Sequence, residues 1–436
     1  MAPHKPPHRR PRRLGTDLPR RDAGVPLCDA VDPVELISPS AGGYARAGFS
    51  VAAAGDIAVV GAYGDETQVI GGGSVTVYRR LEGDWTEEIQ LLPPVPHVGD
   101  WFGYSVATDG ARIVVGVPYG AAQGVSRAGH ALVYVHDTSL GWQLEAELSN
   151  PVFQDRFGSS VDIDGDRIIV DAPGRDFIAE DAGGADIFVR RDGVWQYERD
   201  VILNSLVAFS NAGQSVAIDL PHALVGAPRD HALDGTPLGG AVYAIELSET
   251  GWSNPVQLDA IDPFANGGFG GSIALDGARA VVGSPDAPWS VFNSAGFATA
   301  FEFDNGVWQQ TQRLFPPFGP WDTDRFGDAV DVRARQPPDP QLFWHRGWRL
   351  RARRDHRCGQ HRWPGTNAGS AFLYAAACPC PADLADPAGT LNFFDIVAFI
   401  DLYNSGDPGA DLAEPFGSLN FFDVAAYVDL YNAGCP

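Results

Sequence analysis

Between residues 33 and 377 the apolar positions come in short bursts, alternating or briefly continuous, separated by turns rich in glycine, aspartate and proline. A sustained 3.6-residue period is absent, so this stretch predicts strands and not helices. Five of the bursts superimpose: AGFSVAAAGDIAVVGAY (47–63), FGYSVATDGARIVVGVP (102–118), FGSSVDIDGDRIIVDAP (157–173), AGQSVAIDLPHALVGAP (212–228) and FGGSIALDGARAVVGSP (269–285). A sixth opens at FGDAVDV (326–332) and then loses the pattern. The anchors Ser50, Ser105, Ser160, Ser215, Ser272 and Ala329 follow one another at intervals of 55, 55, 55, 57 and 57 residues, the mark of a repeat architecture.

Each unit predicts four short strands. The first is the Ser-Val-Ala segment, and the second a β-branched run such as Ile113 to Val115, closed by Gly-Ala-Pro or a near equivalent. The third is a run such as Ser74 to Tyr78 or Ala131 to Tyr134. The fourth carries a tryptophan 35–37 residues after the anchor: Trp85, Trp142, Trp195, Trp252 and Trp308. Six residues beyond each stands Leu91, Leu148, Val201, Leu258 or Leu314, and an even spacing along a strand places both on one face as core.

Four strands in a unit of this length describe an all-β chain, a β-propeller. Unit six has a third strand, Ala371 to Tyr374, without a tryptophan strand after it. Leu36 precedes Ser50 by 14 residues, as Leu91 precedes Ser105 and Leu258 precedes Ser272. Val34 to Ile37 is therefore expected to supply the missing strand and close six blades. The Phe-Gly opening and Gly-Ala-Pro closing of the units resemble the FG-GAP repeat of integrin-α-type propellers, over residues 33–377. That resemblance implies an extracellular or periplasmic propeller engaged in adhesion or ligand binding more often than catalysis. It also implies calcium in some loops after Gly-Ala-Pro. Asp230 and Asp234 stand at positions 1 and 5 of such a loop with Ala232 between them, and Asp176, Glu180 and Asp181 form a looser acidic group. A solvated acidic loop is the competing reading.

Residues 378–436 hold a second repeat, DLADPAGTLNFFDIVAFIDLYN (383–404) and DLAEPFGSLNFFDVAAYVDLYN (411–432). Each half reads as a loop feeding an amphipathic helix, with Phe393, Ile396, Ile400 and Tyr403 on one face of the first and Phe421, Val424, Val428 and Tyr431 on one face of the second. Bounded by Cys-Pro and Gly-Cys-Pro, the pair resembles a dockerin domain. The resemblance implies a small α-helical module that binds calcium in EF-hand-like loops and docks onto a cohesin-type protein partner. Carried over, the ligands are Asp383, Asn392 and Asp395 in one loop and Asp411, Asn420 and Asp423 in the other, with Asp386 and Glu414 as substitutes where Ala385 and Ala413 occupy position 3. Helix N-capping by Asn392 with Asp395, and by Asn420 with Asp423, explains the same residues without a metal.

Charge divides the chain further. Its 436 residues carry 55 acids against 31 bases, a net charge of −24, which disfavours nucleic acid and anionic bilayers as partners. No apolar run approaches the roughly 18 residues of a membrane span. Bases concentrate in residues 1–32 and in 333–365, a stretch that interrupts unit six and reads either as a reading-frame error or as an inserted basic loop. The basic start is followed by no apolar run, so no export signal is visible. The cysteines nevertheless favour an oxidising compartment. Cys380 and Cys435 bracket the duplicated module as a natural staple, Cys28 and Cys378 flank the propeller seam, and Cys358 is left odd.

No nucleophile elbow, phosphate loop or HExxH helix occurs, and no catalytic residue is assigned. Asp109, Asp164, Asp219 and Asp276 recur from unit to unit and are expected to serve turns. Asp171 stands where other units have Gly61, Gly116, Gly226 and Gly283, and is the departure from the repeat to mutate first in a search for a catalytic acid. The expected function is an extracellular or cell-surface, non-enzymatic binding or adhesion protein, taking a glycan or protein ligand on its propeller. A polysaccharide-active enzyme, or an accessory module carried on a dockerin, is the alternative.

Overall fold

The computed structural model describes residues 36, 44–176, 179–203, 207–258, 260–288, 294–315 and 325–332. All fall in one of two compact units, Pro33–Arg353 with His361–Leu373. The other unit, Met1–Asp32 with Arg354–Gln360 and Tyr374–Pro436, lies outside the described residues, and with it the duplicated module, its eight candidate calcium ligands, and Cys28, Cys378, Cys380 and Cys435. Cys358, the 333–365 stretch and the strand expected at Ala371 to Tyr374 also lie outside them.

The described residues are all-β, in five antiparallel sheets of consecutive strands. The first sheet comprises Ser50–Ala54, Ile57–Ala62, Ser74–Leu81 and Asp84–Leu91. The second comprises Ser105–Thr108, Arg112–Val117, His130–Asp137 and Gly141–Leu148. The third begins at Val161–Asp164, the fourth at Ser215–Asp219 and the fifth at Ser272–Asp276. The fourth strand of the fourth sheet is split into Gly251–Trp252 and Val256–Leu258, because Pro255 has no N–H to give to a ladder. First strands of successive sheets pack side by side, the arrangement of a propeller.

The Phe-Gly dipeptide is the joint between sheets. In each unit the residue before it accepts a turn bond from the amide three residues on, as Trp101 O does from Tyr104 N and Arg156 O from Ser159 N. The glycine, third in this turn, takes a positive φ, +81° at Gly103 and +87° at Gly158. The phenylalanine is sealed in the core and forms a parallel bridge back to the preceding sheet: Gly73 to Phe102, Gly129 to Phe157, Gly240 to Phe269. The anchor serines complete the joint, Ser50, Ser105, Ser215 and Ser272 donating across 2.8–2.9 Å to the carbonyls of Gly103, Gly158, Gly270 and Gly327. A Cβ on Gly61 would stand 2.2 Å from that Gly103 oxygen, so close approach requires the glycine. A parallel bridge from Gly296 to Phe326 places the opening of the sixth repeat against the fifth sheet.

One expectation is corrected. Tryptophan and leucine on the fourth strand do not share a face, because a bulge lies between them. In the first sheet Tyr78 pairs with Glu87 and Val77 with Ile89, leaving Glu88 unpaired; Glu145, Glu198 and Thr311 are left over in the same way in sheets two, three and five. The extra residue turns Trp142 into the core shared with the first sheet, beside Leu91, and Leu148 into the core shared with the third, beside Trp195. Each inter-sheet core thus receives a leucine or valine from one side and a tryptophan from the other.

Candidate binding site

First strands begin and second strands end at the same edge of each sheet, so the loops before Ser50 and Ser105 and those after Ala62 and Val117 share one face. On sheets one and two those loops gather five aromatic rings. Trp101 stacks on Tyr104 (5.7 Å between centroids, 13° between planes), meets Tyr119 edge-on at 4.4 Å and lies 5.0 Å from Tyr63. Phe49 joins Tyr63 at 4.5 Å and Tyr104 at 4.7 Å. Tyr63 is buried and backs the group, while Phe49, Trp101, Tyr104 and Tyr119 are half-buried and keep part of each ring in solvent.

Local backbone explains the display. The residue before Phe-Gly, or before its Ala-Gly equivalent, takes a left-handed conformation in every unit: Arg46, Trp101, Arg156, Asn211, Gly268 and Arg325. Trp101 is the bulkiest of these and the least suited to a φ of 63°. What it gains is ring contact on three sides. Guanidinium groups flank the strip, Arg46 over Tyr63 at 5.3 Å and Arg127 over Tyr119 at 5.4 Å. Beside Trp101 and Tyr119 opens a cleft of about 610 Å³ whose polar lining includes His97, Asp100, Ser126 and Arg127. His97 Nδ1 meets Asp100 Oδ2 at 3.0 Å, and reciprocal bonds between Ala122 and Val125 hold the far wall in a tight loop. None of these aromatic residues stood out in the sequence, because each occupies a loop position filled differently in other units.

The acids singled out by sequence are used otherwise. Asp109 serves its own turn, accepting from Ala111 N and Arg112 N. Asp164 and Asp219 serve turns of the next sheet, accepting from Leu220 N and Gly277 N. Asp162 accepts from Ile218 N in the same manner; desolvation pushes its pKa up to about 7 against those bonds, and the neighbouring Asp164 and Asp219 charges add to the rise. Asp171 has no exposed surface, so no substrate meets it. Its Oδ1 accepts from Ser160 N while Oδ2 has no partner among the described residues, and burial raises its pKa well above the carboxylate range. Its bulk displaces the serine clamp: Ser160 Oγ accepts from Val216 N instead of donating to the Gly213 carbonyl.

Asp230 is buried, with its carboxylate taking the Tyr243 hydroxyl and His231 N, and Asp234 accepts from Thr236 N within the same loop. Asp176 accepts from Asp181 N. The described residues contain no group of three or more His, Cys, Asp or Glu side chains arranged to hold a metal.

The family model described as FG-GAP repeat matches residues 85–134 and 142–188, which supports an FG-GAP β-propeller-like protein. No curated protein matches the chain. Among solved structures, a candidate 6-phosphogluconolactonase from Bacteroides uniformis is similar at 12% identity, with a TM-score of 0.41 over 62% of this chain and 74% of that one. No helix among the described residues is long and apolar enough to cross a membrane.

Proposed function

We propose that this chain is a non-enzymatic binding protein of the cell surface or extracellular space, whose propeller presents the aromatic face of sheets one and two to a ligand. The observation that carries the reading is the cluster of Phe49, Trp101, Tyr104 and Tyr119, held half in solvent by a bulky residue in a left-handed conformation. Large apolar rings partly exposed beside convergent polar groups are the usual composition of a recognition site.

The propeller is read as six-bladed. Two observations favour that count: the sixth unit's turn seated on sheet five, and Leu36 packed with Trp85 against Ala58, Val60 and Tyr78 of sheet one. There Leu36 takes the place that Leu91 and Leu148 hold in the next cores. Residues 378–436 are proposed as a dockerin-like tether to a cohesin-type partner, stapled by Cys380 and Cys435 and holding calcium through Asp383, Asn392, Asp395, Asp411, Asn420 and Asp423, with Asp386 and Glu414. Cys28 and Cys378 are proposed as a second bridge.

The test is a binding array of glycans and surface proteins probed with the full chain, run beside a screen for glycan turnover. Saturable capture without turnover is expected. Turnover of a captured glycan transfers the protein to the enzyme class, and absence of any capture removes the binding role.

A further inference from the structure

We propose that the aromatic strip on sheets one and two is a subsite for an acidic oligosaccharide, with uronate-type sugar rings on the aromatic faces and their carboxylates on Arg46 and Arg127. The inference rests on the binding role above and names its ligand class.

The argument begins with ring geometry. Phe49, Trp101, Tyr104 and Tyr119 are each half-buried, so part of each ring's surface is open to solvent, and an aromatic face is electronegative. The C–H bonds on one face of a pyranose are weakly positive and flat enough to lie on such a surface, while its hydroxyls remain at the rim. The rim here is polar: His97, Asp100 and Ser126 line the cleft beside Trp101.

Charge selects the kind of sugar. Acids outnumber bases 55 to 31 in this chain. Many arginines elsewhere on the sheets are taken up by carboxylates, Arg79 by Glu88, Arg167 by Glu198, Arg190 by Glu145, and Arg325 by Asp286 and Asp328, while Arg199 and Arg313 donate to backbone carbonyls. Arg46 and Arg127 are exposed, lie at opposite ends of the strip, and have no carboxylate partner among the described residues. Successive contacts from Arg46 through Tyr63, Trp101 and Tyr119 to Arg127 are 5.3, 5.0, 4.4 and 5.4 Å. These contacts join the two cations into one continuous patch, backed by the buried Tyr63, along which an oligosaccharide of a few rings can lie and reach both. A guanidinium fork matches a carboxylate in two hydrogen bonds, and its neighbouring tyrosine already fixes its plane. The excess of acids over the chain as a whole repels a polyanion at long range, so contact depends on this local reversal of sign and is salt-sensitive.

The experiment is tryptophan-fluorescence titration of the full chain with tetragalacturonate, and with cellotetraose as the neutral counterpart. Saturable quenching by tetragalacturonate is expected, weakening about tenfold between low and high salt, with little response to cellotetraose. Arg127→Gln, an exposed change that leaves the core untouched, should weaken tetragalacturonate at least about tenfold; Trp101→Ala should abolish binding, read by calorimetry since the reporter is lost. Equal binding of both tetrasaccharides, or binding indifferent to Arg127→Gln, overturns the acidic-sugar assignment. Should the array find a ligand whose capture ignores both substitutions, the binding role stands and this subsite falls. If nothing is captured, both fall.

Discussion

Asp171 shows how one substitution in a repeat alters a joint. Where glycine stands in the other units, the next sheet approaches within contact of the backbone; here a carboxylate occupies the space and the serine clamp is remade around it. The acid is buried with one oxygen unpartnered and its pKa raised, so the folded state resists its ionisation. Stability associated with this group is fully present below the unfolded value near 3.8 and is lost as pH rises. Asp171→Asn keeps the size and the bond from Ser160 N. It should raise Tm at pH 8 by an amount corresponding to roughly 1–3 kcal/mol, the difference vanishing toward pH 4; thermal scans across that range check it. A second compensation lies close by. Ala212 replaces the sealed phenylalanine of other units, and Leu203, fully buried, shares its core. Sequence comparison locates both departures but is silent on the clamp, since Ser160 is conserved in type while its bond is changed.

The fourth strand carries the lesson at the scale of elements. Its bulged residue, Glu145 or Glu198, turns toward the following sheet and accepts the indole N–H of Trp195 at 2.9 Å or Trp252 at 3.0 Å. Arg190 and Arg167 complete these joints. Burial opposes ionisation of Glu198, but the bonds from Arg167 and Trp252 outweigh it and hold its carboxyl below the usual range. Glu88 lies beside Trp142 in the corresponding place, although that indole nitrogen has no acceptor at bonding distance among the described residues. Trp195→Phe retains most of the packing and loses the bond to a charged acceptor; it should cost about 1.5–3 kcal/mol in urea unfolding. Trp142→Phe, lacking such a bond, should cost less. The tryptophan period was legible as core packing because large rings recur only where they are buried. Its direction was not, because a bulge adds a residue without changing the count that a period measures.

For the whole molecule, closure and pH response are linked to the seams between sheets. Leu36→Asp places a charge in the core made with Trp85 and Tyr78; if the N-terminal strand closes the ring, it should destabilise by about 2–4 kcal/mol and broaden the unfolding transition. An unchanged denaturation curve removes the closure. Asp162, raised to about 7, predicts stability that declines as pH rises from about 4 to about 7, and Asp162→Asn should flatten that decline. Calorimetric titration with calcium should show uptake that disappears when Asp383 and Asp411 are replaced by alanine; no uptake removes the proposed metal.

Repeat length, strand content and the turn glycines follow from the chain alone, because local backbone geometry and alternating burial impose a period that recurs every 55–57 residues. Which face each tryptophan takes, which acids cross from one sheet to the next, and which loops bring Phe49, Tyr63, Trp101, Tyr104 and Tyr119 together were decided only by the tertiary structure. The reason is that neighbouring sheets meet through residues about one repeat apart, and side chains at such separations are related by packing and not by any spacing along the chain.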